Sequence, residues 1–137
     1  MLTAFDADVL IYAAEEDHTL GGRVAALFAG TNDVVGVGSI LLLTEVLAKP
    51  MRQDPADERT ATLLSLLGRL ELQPVDESVG RLALTLAVRY GLRVADAAHL
   101  ATAVAAGADR FLTNNRKDFP QTIVEIDIVY PDELPAA

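Results

Sequence analysis

Five short, largely apolar runs alternate with longer stretches of helical spacing, and four of those stretches stop at a glycine. This alternation constrains the fold more than any other feature of the chain. The runs Leu2–Phe5, Val34–Val37, Glu71–Val75, Arg110–Thr113 and Ile126–Val129 read as strands. The spacing between them predicts helices over Ala7–Ala14, His18–Ala29, Ser39–Ala48, Asp57–Leu67, Glu77–Tyr90 and Ala95–Ala106. Gly30, Gly68, Gly91 and Gly107 each follow a helix, where glycine accepts the left-handed conformation that ends it. Pro50 is the expected stop of the third helix. Pro55, followed by Asp57 and Glu58, suits the start of the fourth.

The order β-α-α-β-α-α-β-α-α-β-β predicts an α/β sandwich on a mostly parallel sheet of about five strands. A chain of 137 residues without repeats, low-complexity tracts or a linker is expected to form one domain, residues 1–137, around a real core. Parallel sheets bind ligands at the carboxyl ends of their strands, near a switch in strand order. Asp6 lies at that end of the first strand. Thr113, Asn114 and Asn115 lie at that end of the fourth.

Composition narrows the chemistry. There is no cysteine, which excludes disulfides, thiolate metal sites and a cysteine nucleophile and fits a reducing cytoplasm. No apolar run approaches the roughly 20 residues of a membrane span, and residues 1–13 lack the basic leader of a signal peptide. Eleven basic and twenty acidic residues leave a net charge of −9. Such a surface repels nucleic acid unless local cations or bound metal intervene. Two divalent cations, each +2, would bring −9 to −5.

Four acids stand out. Asp6 sits between two apolar runs, where a carboxylate is costly without a positive partner. Asp8, two residues on, is the better candidate for a plain helix N-cap. Glu45 interrupts "SILLLTEVLA", a helix apolar at positions 40–43 and 46–48. A helix apolar on every side is buried, so Glu45 is expected to emerge into a cavity, with Ser39 capping the helix. Asp96 falls in the first turn of "VADAAHLATAVAAGA", where a negative charge meets the helix dipole. His99 shares its face and reads as a hydrogen-bonded packing residue. Asp118 lies in the polar loop "FLTNNRKDFP".

Carboxylates gathered in one cleft raise each other's pKa, and a hard divalent cation such as Mg²⁺ or Mn²⁺ relieves the conflict. Metal-activated water then needs no nucleophilic side chain. No phosphate-cradling glycine loop is present, because "GGR" and "GVGS" lack the spacing.

The stretches "FDADVLIYA", "SILLLTEVL", "ADAAHLATA" and "FLTNNRKDF" resemble, in order, the four signature regions of PIN-domain ribonucleases, and most of all the VapC-like toxins of type II toxin–antitoxin pairs. The resemblance spans nearly the whole chain. It implies a three-layer α/β/α fold, an acidic Mg²⁺ or Mn²⁺ site and RNA endonuclease activity. It places the family's first three acids on Asp6, Glu45 and Asp96. Members carry the fourth either where this chain has Asn115 or at the position of Asp118. We assign it to Asp118, with Thr113 and Asn115 as supporting or water-positioning groups and Asp8 as an extra ligand or cap. It further implies a homodimer held inactive by a small antitoxin protein. Arg89, Arg93, Arg116 and Lys117 flank the third and fourth motifs and are the candidates for RNA contact.

Other classes use parts of the same pattern. "FDADVL" also resembles the opening of haloacid-dehalogenase-type phosphatases, with Thr113 as a second motif. There the second Asp is usually followed by a Gly-Thr-like pair, whereas Val9-Leu10 stand here, and a late acidic pair is missing. A phosphoacceptor receiver domain would use Asp6 and Asp8 for metal, Thr113 as switch and Asp76 as acceptor. A PIN domain that only binds a partner is the third alternative.

Overall fold

The computed structural model describes every residue, Met1–Ala137. Five strands form the middle layer: β1 (Thr3–Phe5), β2 (Gly36–Ser39), β3 (Leu70–Gln73), β4 (Arg110–Leu112) and β5 (Asp127–Val129). They lie in the order β3-β2-β1-β4-β5, and every pairing is parallel. Six helices cover the sheet: α1 (Ala7–Ala13), α2 (Thr19–Ala25), α3 (Leu42–Gln53), α4 (Glu58–Leu67), α5 (Glu77–Tyr90) and α6 (Val94–Ala105). A 3-10 turn at Pro131–Glu133 follows β5. No helix is long and apolar enough to cross a membrane.

Neighbouring strand residues point to opposite layers, as the period of two requires. Ala4 and Phe111 pack with Leu86, Leu100 and Ala101 of α5 and α6. Phe5 and Leu112, one position on, pack with Val9, Leu42, Val46 and Leu63 of α1, α3 and α4. Two cores therefore sandwich the sheet, and the result is the expected α/β/α arrangement. The change in strand order at β1, between β2 and β4, is the switch point that opens a crevice at the carboxyl ends.

Local signals placed several helices well. Asp76 accepts the Val79 N–H at the start of α5, and Gly91 ends it at φ 67°. Elsewhere the boundaries moved. The helix α2 stops at Ala25 rather than Ala29, because the chain tightens into i→i−3 bonds from Leu27 to Val24, Phe28 to Ala25 and Ala29 to Ala26. The helix α3 runs past Pro50 to Gln53. Proline removes only its own N–H, and its carbonyl still accepts from the Asp54 N–H at 2.8 Å. Nor is α3 apolar on every side: Leu43, Thr44 and Glu45 are all exposed, while Leu42, Val46 and Leu47 are buried.

The strand β2 lies two residues later than the valine run suggests. Val34 is exposed, and the strand is Gly-Val-Gly-Ser. Glycine is a poor strand former, but at position 36 it is sterically required. A Cβ there would sit 2.2 Å from the Thr3 carbonyl oxygen and 2.8 Å from the Phe5 ring. Gly36→Ala is expected to cost about 3 kcal/mol or more, since neither the backbone of β1 nor a core ring yields easily. Thermal or urea denaturation checks this. A variant as stable as the parent would mean that the two strands are not so closely set.

Candidate active site

Asp6 directly follows β1 and is 5% exposed. Contrary to the expectation for Asp8, it is Asp6 that caps α1, with Oδ1 accepting the Ala7 N–H at 2.8 Å. Its Oδ2 accepts the Thr113 hydroxyl at 2.8 Å. Thr113 is fully buried at the end of β4, and its Oγ also accepts the Asn115 N–H at 3.1 Å. The ends of two adjacent strands are thus tied through one carboxylate.

Asp8 caps nothing. It lies in the first turn of α1, where Oδ2 accepts the Asn114 N–H at 3.0 Å, pinning the fourth-motif loop to the helix. Its Oδ1 is buried without a partner. Ser39 is likewise not the cap of α3; it is the last residue of β2, and its Oγ accepts the Leu41 N–H at 3.1 Å as the chain turns.

Glu45 reaches back from α3 to His99 of α6, whose Nε2 lies 2.7 Å from Oε2. One donor atom from each of Asp6, Glu45 and His99 can be chosen so that all three lie within 4.8 Å of one another. His99 was read from the sequence as a hydrogen-bonded packing residue, and it is buried and hydrogen-bonded. Its spacing from Asp96 was visible, but the partner on α3 was not. Asp96, in the first turn of α6, lies within electrostatic reach of Asp6, Asp118 and Glu45. In the loop after β4, Asn115 Nδ2 donates to Asp118 Oδ2 at 2.9 Å, and the Asp118 N–H returns a bond of 3.3 Å to Asn115 Oδ1.

The electrostatics are those of crowded carboxylates. Burial pushes the Asp6 carboxyl above its ordinary range, against the opposing influence of His99 and its hydrogen bonds. Burial and then the charge of Asp6 push Asp8 up to about 7. Asp96 is raised by burial and by Asp6, Asp118 and Glu45. Glu45 alone is lowered, chiefly by its hydrogen bond from His99. Burial would depress His99, but its bond to Glu45 and the charges of Asp6, Glu45 and Asp96 outweigh this and raise it. Part of the positive compensation for Asp6 is therefore built into the protein.

The donor set fits a hard divalent cation. Carboxylates accept only, so His99 Nε2 carries its hydrogen toward Glu45 and offers no lone pair. What remains open is oxygen, including Glu45 Oε1, and oxygen donors suit Mg²⁺ or Mn²⁺.

The basic candidates divide. Arg89 is engaged by Glu125, and Arg116 pairs with Asp132 at 2.7 Å while lying 4.2 Å over the Tyr130 ring. Arg93 and Lys117 are exposed and take part in none of the molecule's ion pairs.

An acidic crevice at the switch point of a parallel sheet suits a divalent cation, and comparison identifies the family. The PIN domain model matches residues 4–123, and the chain belongs to the PIN domain family, whose members are generally nucleases. A chain of a toxin–antitoxin complex from Klebsiella pneumoniae is similar to it with a TM-score of 0.73 and 19% identity, over 96% of this chain and 98% of that one. VapBC2 from Rickettsia felis, bound to a DNA fragment from its promoter, gives a TM-score of 0.72 and 18% identity, over 95% and 98%. No match is found among the curated proteins. The phosphatase and receiver alternatives are not favoured by these matches, and Asp76 serves to cap α5.

Proposed function

We propose that this chain, as a single domain over residues 1–137, is a metal-dependent RNA endonuclease and the toxin of a toxin–antitoxin pair. The observation that carries the catalytic part is the convergence of Asp6 and Glu45 at the switch point, with His99 beside them and one side-chain atom of each within 4.8 Å of the others. Asp6, Glu45, Asp96 and Asp118 are the residues to hold Mg²⁺ or Mn²⁺. When bound, such an ion acidifies a water, orients it toward phosphorus and steadies the leaving oxygen.

The rest falls to the chain's own groups. Thr113 aims the Asp6 carboxylate through its hydroxyl, and Asn115 holds Asp118. Asp8 fixes the loop that carries both. Arg93, before the α6 acid, and Lys117, beside Asp118, are free to contact substrate phosphates. Arg89 and Arg116 are the weaker candidates, because acids already engage them.

The toxin assignment is supported by the likeness to chains from toxin–antitoxin complexes. A small antitoxin as inhibitor, a homodimer and a cytoplasmic location go with it. The test is to incubate purified protein with structured RNAs in Mg²⁺, Mn²⁺ or EDTA. Cleavage confined to the metal-containing samples is expected. Cleavage that persists in EDTA, or none under any condition, would overturn the proposal. A neighbouring small reading frame encoding a DNA-binding antitoxin would bear on the toxin role separately.

A further inference from the structure

Glu45 is the one exposed acid of the site. Its side chain is 35% accessible, Leu43 and Thr44 beside it are exposed, and three rotatable bonds separate the carboxylate from the backbone. Left alone, such a side chain disperses among rotamers, and ordering it costs entropy. His99 is its opposite. The imidazole is 1% accessible, set in a run from Ala97 to Ala103 that is buried throughout. The ring is therefore held by packing, and Nε2 points at Glu45 Oε2 from 2.7 Å.

The contact crosses the molecule. Helix α3 belongs to the core layer with Leu42 and Val46, and α6 to the opposite layer with Leu100 and Ala101. The bond joins the two layers over the carboxyl rim of the sheet, beside Asp6. No partner meets His99 Nδ1, so Glu45 is the ring's sole hydrogen-bonded partner. We infer that His99 is a positioning residue: its Nε2–H clamps Glu45 Oε2, leaving Oε1 as the oxygen offered to the site. This rests on the metal-site reading above and adds to it a division of labour, in which the imidazole acts through Glu45 and not as a ligand.

Two measurements on the full chain test it. Mn²⁺ affinity is measured by calorimetry for the parent, His99→Leu, His99→Gln, Glu45→Gln and the double variant His99→Leu/Glu45→Gln, with melting curves to confirm folding. His99→Leu is expected to weaken Mn²⁺ about tenfold, at the low end for a partner of a metal ligand. The double variant should bind no more weakly than Glu45→Gln alone, because the two act as one unit. His99→Gln, which can still donate an N–H, should recover part of the loss.

The second measurement is ¹⁵N-imidazole NMR of the metal-free protein. A slowly exchanging Nε2–H is expected in the parent and is lost in Glu45→Ala, which removes the acceptor and leaves position 99 untouched. If His99→Leu and Glu45→Gln add in full, or if His99→Leu binds Mn²⁺ like the parent, the positioning role is overturned while the metal site stands. If the parent itself binds no Mn²⁺, the metal-site reading fails, and the positioning role with it.

Discussion

Replacing Asp6 with asparagine is expected to lower RNA cleavage by about 10³-fold or more, the scale on which loss of a transition-state-stabilising group is felt. The side chain is nearly isosteric, and its oxygen can still accept the Ala7 N–H that Oδ1 accepts now. What disappears is the negative charge at the centre of the site. Asp6 is the buried acid nearest the switch point, held by Ala7 on one oxygen and Thr113 on the other. No other carboxylate in the cluster is as deeply placed. Single-turnover cleavage with Mn²⁺ measures the effect.

Stability should move the opposite way. Burial penalises the ionised Asp6 carboxyl, so the asparagine variant should melt higher than the metal-free parent at pH 8. Lost activity in a more stable protein separates a chemical defect from a folding defect. A variant within tenfold of the parent in rate would remove Asp6 from the catalytic set.

The second large effect is on stability against pH in the absence of metal. Asp8 titrates near 7 in the folded protein but near 3.9 in an unfolded chain. Between those values the folded state holds the extra proton, so stability falls as pH rises from about 4 to about 7. Asp6 and Asp96 are raised as well and act in the same sense. The raised His99 contributes stability fully below about 6.5, which is lost as pH rises through its folded value. Glu45 opposes them: its contribution is present above about 4.5 and lost as pH falls through its lowered value. The metal-free protein should therefore be more stable at pH 5 than at pH 8.

Two controls make this specific. Asp8→Asn should raise stability at pH 8 by about 1 kcal/mol or more, one pKa unit being about 1.4 kcal/mol. The gain should be smaller at pH 5 and vanish below about pH 4, where Asp8 is protonated in the folded and the unfolded chain alike. Mn²⁺ should raise the melting temperature more at pH 8 than at pH 5, because the ligands bind deprotonated and the ion binds only the folded chain. A melting temperature flat between pH 5 and 8, or an Asp8→Asn variant that is destabilised at pH 8, would show that these carboxyls are not under mutual strain.

The legible parts of the site were those with a local signature. Asp6 stands out because an acid directly follows a buried strand, and Asp96 because an acid opens an alanine-rich helix. Helix α5 ends at Gly91 as read, while the cap at its start, Asp76, emerged only with the structure. Several of the misread parts depend on neighbours distant in sequence. The cap of α1 fell to Asp6 rather than Asp8, because Asp8 is drawn to the Asn114 N–H across the crevice. Strand β2 follows from the room beside Thr3 and Phe5, which no run of valines reports. His99 was read as a hydrogen-bonded packing residue and is buried and hydrogen-bonded, but its partner, 54 positions away on the other helical layer, was not legible.

The chain by itself determined the alternation of strands and helices, the layers they form and the acids worth watching, since propensity, capping and apolar periodicity act over a few residues. Only the tertiary structure decided which oxygen faces which donor, and so which groups are ligand candidates and which are their supports. A hydrogen bond of 2.7 Å between Glu45 and His99 depends on the placement of two helices on opposite faces of a sheet. That placement is set by packing of both cores together, and no short window of sequence contains it.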